Sequence, residues 1–143
     1  MERQPHDHEL IELDREECLA LLAAGRVGRF AVASMNDAPL VVPVNYVMDG
    51  DAVVFRTAAG EKLAQLRRRA SFEVDGLDQP TETGWSVLVR GFAYEATSWE
   101  VAHLDLEPWA AGDKDRWVRI VPTAITGRRI TAGRGVVDGR AYL

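Results

Sequence analysis

Between Val27 and Thr57 the chain must reverse direction twice within a short stretch. Val27-Gly28-Arg29-Phe30-Ala31-Val32-Ala33-Ser34 is dense in strand formers, and Met35-Asn36-Asp37-Ala38-Pro39 reads as a turn. Leu40 to Met48 is a second strand, Asp49-Gly50-Asp51 a strong hairpin signal, and Ala52 to Thr57 a third strand. Connections this short cannot hold a parallel crossover, which needs a dozen or more residues. The segment therefore predicts an antiparallel meander. Three further strands are expected at Ala70 to Val74, Trp85 to Ala96 and Trp117 to Gly127. Gly91, in the middle of the second of these, predicts a bend or bulge. Pro43 and Pro122 cannot donate to a ladder, so each belongs at a bulge or a free edge.

Helical signals are few. Asp14-Arg15-Glu16-Glu17 is an aspartate form of the capping box. It opens a helix with Cys18, Leu21 and Leu22 on one face and Gly25 as the stop. A short helix is expected over Glu61 to Arg69, with Arg67-Arg68-Arg69 near its end facing water, and another from a Ser98 cap to about Leu106. The expected architecture is all-β with short helices: a six-stranded antiparallel barrel in one domain over residues 10–130. Residues 1–9 read as a flexible lead-in, in which His6-Asp7-His8 is too sparse for a metal site, and residues 131–143 as a C-terminal tail, the chain turning glycine- and arginine-rich from Arg128.

Charge and cysteine usage narrow the function classes. The net charge is -5, from 17 basic and 22 acidic residues among 143, so no global field attracts nucleic acid. No apolar run approaches the roughly 20 residues that span a bilayer. Cys18 is alone, which points to a reducing cytoplasm and, on an apolar helix face, to packing rather than reactivity.

One segment carries chemistry. Val53-Val54-Phe55-Arg56-Thr57-Ala58-Ala59-Gly60-Glu61-Lys62 takes an apolar strand into a small-residue turn and then a helix start. A guanidinium, a hydroxyl, an ammonium and the free N–H groups of a helix start converge there, which suits a phosphate. Basic residues at helix starts also commonly face solvent: Arg56 then pairs with Glu61 and Lys62 is hydrated. Arg90 reads as a rim salt-bridge partner, Trp99 and Trp117 as core or interface aromatics, and Tyr46 and Tyr94 as packing residues. His103 with Asp105 and Glu107 is too sparse for a metal or a base. No catalytic residue is singled out.

The order Val27-Gly28-Arg29-Phe30, Val42-Pro43-Val44-Asn45-Tyr46, Phe55-Arg56-Thr57 with Gly60-x-Lys62, and Gly84-Trp85-Ser86-Val87-Leu88-Val89-Arg90-Gly91 resembles the pyridoxamine 5′-phosphate oxidase-like, FMN-binding split-barrel family. Within it, the branch of small proteins related to nitroimidazole-resistance reductases looks closest. The resemblance implies a homodimer with FMN in grooves at the interface. It implies that Arg56, Thr57 and Lys62 grip the flavin phosphate, with Glu61 standing where a second cation is common. It places Pro43, Val44 and Asn45 beside the isoalloxazine ring, with Val42, Val44 and Trp85 as its apolar slot. Trp85 and Ser86 approach the flavin, and Trp109 reaches over from the partner chain.

The implied activity is FMN-dependent oxidation or reduction of a small molecule, with NAD(P)H as a candidate donor. True pyridoxamine phosphate oxidation is disfavoured, because Arg128-Arg129 is the only second basic cluster and such a pair usually faces solvent. Two alternatives stay open: the deazaflavin coenzyme factor 420 in the same groove, and a flavin-binding or sensing protein without turnover.

Overall fold

The computed structural model describes residues 8–34, 36–57, 67–109 and 116–132. Strands β1 (His8–Leu13), β2 (Val27–Val32), β3 (Leu40–Asp49), β4 (Ala52–Thr57), β5 (Arg68–Asp78), β6 (Thr83–Glu95) and β7 (Arg116–Ala132) are joined by helices α1 (Arg15–Ala24) and α2 (Ser98–Val101). All pairings are antiparallel, in the order β1-β7-β4-β3-β2-β5-β6 with a further β7–β6 pairing. Six strands thus close into the expected barrel, and β1 is an additional edge strand on β7. The β2–β3–β4 meander is in place, with the turn after Asp49 carried by Gly50 at a φ of 62°. Among the described residues no helix is long and apolar enough to cross a membrane.

Several boundaries differ from the sequence reading. His8 and Glu9, read as lead-in, pair with Ala132 and Thr131. Residues 128–132, read as a loose tail, are the other half of that ladder; polar alternation at an edge gives little hydrophobic signal. Arg68 and Arg69 open β5 instead of ending a helix, and positions 61–66 of that helix lie outside the described residues. The helix expected to Leu106 is a single turn. Its cap is Thr97, whose side chain accepts from the Glu100 N–H while Glu100 reaches back to the Thr97 N–H.

Phe30, Phe55, Phe72, Val53, Val87, Val89, Val118 and Ile120 fill the barrel. Phe30 and Phe55 lie 4.9 Å apart between ring centroids, and the Tyr46 and Phe72 rings meet edge-on at 4.8 Å. The capping box of α1 forms as expected, Asp14 accepting from the Glu17 N–H at 2.8 Å, and Cys18 and Leu22 are buried against the barrel.

Gly25 ends α1 without a left-handed backbone, at a φ of -81°. Glycine is needed there for space, since a Cβ would sit 2.2 Å from the Tyr46 hydroxyl. That hydroxyl donates to the Leu22 carbonyl at 2.5 Å and joins the helix end to β3. Burial raises the Tyr46 pKa from 10.0 to about 12. The folded state thus favours the neutral phenol, a contribution fully present below pH 10 and lost as pH rises towards 12. Tyr46→Phe is expected to lower stability by about 1–2 kcal/mol, because the Leu22 carbonyl loses its buried donor. Alkaline denaturation read by tyrosinate absorbance checks both statements: a wild-type phenol titrating with the exposed tyrosines contradicts them.

The bulge falls where Gly91 and Pro122 predicted one. Arg90 pairs with Ala124 but Gly91 with Pro122, which leaves Thr123 as the extra residue on β7. The insertion reverses the phase of β7. Val118 and Ile120 face the core before it, and Ile125 packs on the core after it.

Candidate flavin seat

On β4 the core side is held by Val53 and Phe55, so Arg56 shares the outer face with Val54. That face is crossed by a strap, residues 97–109, which packs Val101 and Leu104 onto Val54, Val47 and Trp117. The strap is fastened by polar contacts at both ends. Near its start, Glu100 accepts from the Tyr94 hydroxyl at 2.7 Å and lies 3.8 Å from Arg119. Arg119 also bonds Asp49, which takes the His103 ring at 3.1 Å. The hydrogen bond from Arg119, and then that with His103, hold the Asp49 carboxyl below its ordinary value. The Thr97 N–H and then the Tyr94 hydroxyl do the same for Glu100.

The other end of the strap reaches the candidate site. The Arg56 guanidinium donates to the Leu106 carbonyl at 2.8 Å and lies 5.2 Å from the centre of the Trp117 ring. The Trp109 N–H donates to the Asn45 side-chain oxygen at 2.8 Å, and the Asn45 amide reaches the Arg26 carbonyl at 3.4 Å. Asn45, Tyr46, Leu106 and Trp109 line one cavity of about 680 Å³ with Arg26 and Glu107. Trp109 is 73% exposed at its mouth. Asn45, Arg56 and Trp109 therefore meet through one strap of the same chain, whereas the resemblance had Trp109 arriving from a partner.

Thr57 ends β4 opposite Arg116 and is half-buried. Pro43 pairs with Arg29 and Val44 with Gly28 of β2. Strand β4 pairs with β3 only from Tyr46 to Asp49, so among the described residues Leu40–Asn45 has β2 on one side and no strand on the other. The missing donor of Pro43 fits that open edge. Val42 and Val44 turn inward against the main core, and so does Trp85, whose indole nitrogen would lie 2.6 Å from a Cβ at Gly76. The apolar slot expected from those three side chains is therefore part of the barrel filling. Trp85 and Ser86 pair with Gly76 and Asp75 of β5, so β2 and β5 separate them from β3. Lys62, Gly60 and Glu61 lie outside the described residues.

The strap was not legible as a site element. Its one local signal is Thr97-Ser98-Trp99-Glu100, and nothing in the spacing says that Leu106 and Trp109 will meet residues on β3 and β4. Trp99, expected in the core or an interface, is 86% exposed, and His103 pairs with Asp49 instead of Asp105 or Glu107. Among the described residues no three metal-ligating side chains are grouped.

The family model for pyridoxamine 5′-phosphate oxidase matches residues 14–129. The chain belongs to the pyridoxamine 5′-phosphate oxidase family. Among curated relatives, the Mycobacterium tuberculosis protein Rv0080 is 37% identical over 134 residues, covering 87% of this chain and 88% of its own. Among solved structures, the FAD binding protein of Mycobacterium smegmatis is 34% identical with a TM-score of 0.63, over 85% of this chain and 98% of that one. A Bacteroides thetaiotaomicron protein named for 5-nitroimidazole antibiotic resistance has a TM-score of 0.64 over 86% of this chain and 89% of its own. At 13% identity that likeness is one of fold alone.

Proposed function

We propose that this member of the pyridoxamine 5′-phosphate oxidase family binds a flavin and uses it to oxidise or reduce a small molecule. The observation that carries the reading is the meeting of Arg56 and Thr57 at the end of β4 with the open edge of β3. Stacked on Trp117 and tied to the Leu106 carbonyl, the Arg56 guanidinium is already oriented, so less side-chain freedom is lost when it meets a phosphate. Lys62 is proposed as the second cation. The unpaired backbone of Pro43, Val44 and Asn45 suits the N–H and C=O groups at the rim of a flat heterocycle. Flavin, when bound, supplies hydride transfer, and the chain orients cofactor and substrate.

A homodimer is proposed because Trp85 and Ser86 lie on a different part of the barrel from Asn45 and Arg56. A flavin touching both sets takes one from each copy. The exposed Leu40 and Val41 beside the open edge are the apolar surface for that contact. NAD(P)H is the proposed donor and the cytoplasm the proposed compartment.

FMN is the first reading for the cofactor. FAD is the second, favoured by the name of the Mycobacterium smegmatis relative. Factor 420 is disfavoured, since its longer acidic tail asks for more cations than Arg56 and Lys62 supply. Absorbance and mass of the molecule retained on purification distinguish the three, and bleaching by NAD(P)H followed by reoxidation distinguishes an enzyme from a binder. Arg56→Ala is expected to weaken flavin binding by about 10- to 100-fold, the loss of one charge-assisted bond and of its orientation. Fluorescence titration with FMN checks this, and an unchanged affinity removes Arg56 from the site.

A further inference from the structure

Arg69 and Arg90, separated in sequence, come together on the outer face of the barrel. Arg69 pairs with Phe92 across the β5–β6 ladder and Ser71 with Arg90, so the two arginines are diagonal neighbours on adjacent strands. The Arg69 guanidinium lies 5.7 Å from the centre of the Phe92 ring. Phe92 is 43% exposed although it is a large apolar side chain. All four residues line a groove of about 620 Å³, together with Pro39 and the bulge residue Thr123. Arg67 and Arg69 line an adjoining hollow of about 350 Å³.

No carboxylate lines either space. Elsewhere arginines meet acids: Arg15 meets Asp51, Arg116 meets Glu95, and Arg119 meets Asp49 and Glu100. Further along the same face of β5, Glu73 and Asp75 are both taken by Arg29 at 3.1 Å. Like charges held diagonally across a sheet repel, and the chain as a whole has acid to spare at a net charge of -5. The pair thus stands in a groove that lacks a negative group of its own.

We propose that this groove is a second anion site, separate from the flavin seat, which takes a phosphate monoester carried on a small flat ring. Two guanidiniums match the dianion by bidentate bonding, and the Ser71 hydroxyl is placed to add a donor. Phe92 and Pro39 offer the ring an apolar wall, and the volume is that of a small-ligand pocket. A long nucleic acid is disfavoured by the overall acidity.

The test is calorimetric titration of the full chain with phenyl phosphate and with inorganic phosphate. Saturable binding is expected, tighter for phenyl phosphate. Arg69→Gln with Arg90→Gln is expected to weaken both by about 10- to 100-fold, for the loss of two charge-assisted contacts at an exposed site. Phe92→Leu is expected to bring phenyl phosphate down to the affinity of inorganic phosphate, a readout that survives if the double variant fails to fold. Arg56→Ala is expected to leave phenyl phosphate binding intact while FMN binding falls, so failure of either site is visible separately. Absence of saturable binding, or affinities unchanged in the double variant, overturns the proposal. So does a double variant that loses FMN in step with phenyl phosphate, because the groove then belongs to the flavin.

Discussion

Gly91→Ala is expected to lower stability by about 3 kcal/mol or more, at the upper end of overpacking effects. A Cβ at Gly91 would stand 2.0 Å from the Val121 carbonyl oxygen and 2.9 Å from the Pro122 Cα. Those are backbone atoms of the neighbouring strand, so no rotamer change relieves the contact. The only escape is to move β7 at its bulge, and that bulge sets which face of β7 meets the core on either side. The loss of packing is therefore expected to spread to Ile125 and Val118. Urea denaturation with Thr123→Ala as a control at the exposed bulge residue provides the measurement. A Gly91→Ala midpoint equal to that of the control would mean the two strands are not locked at this point.

Phe72→Ala is the second large effect, about 3–5 kcal/mol from lost burial plus the cavity left behind. Phe72 is fully buried, packs edge-on against Tyr46, and occupies the space left by the missing side chain of Gly28. A Cβ at Gly28 would lie 2.1 Å from the ring, so the glycine and the phenylalanine form a matched pair. Phe72→Leu is expected to recover a large part of the loss, because the hole is apolar and tolerant of shape more than of volume. Thermal unfolding of the two variants side by side decides it, and an alanine variant as stable as the leucine variant would place the ring outside the critical core.

Turn chemistry and alternation carried most of the barrel. Asp49-Gly50-Asp51 made the hairpin, Asp14 and Glu17 made the helix cap, and Gly91 with Pro122 announced the bulge. These signals act between near neighbours in the chain, or through a backbone restriction that a single residue imposes. Strand β1 was missed because Glu9, Leu10, Ile11 and Glu12 pair at an edge where little is buried. The single turn of α2 was overextended because its apolar residues, Val101 and Leu104, are spaced as a longer helix would space them.

Site residues divided in the same way. Arg56 and Thr57 were legible because a strand end and a turn bring them together locally. The meeting of Asn45 with Trp109, of Arg56 with Leu106 and Trp117, and of Arg69 with Arg90 was not.

Antiparallel pairing, the approximate strand set and the helix cap were thus determined by the sequence alone, through connection length and local hydrogen bonding. Tertiary structure decided the rest. It chose which outer faces the strap covers, turned Val42, Val44 and Trp85 inward, and set two unneutralised arginines side by side. The reason is physical: a side chain's neighbours across a barrel follow from ladder register and from one inserted bulge residue, and neither is encoded in the stretch of chain where that side chain sits.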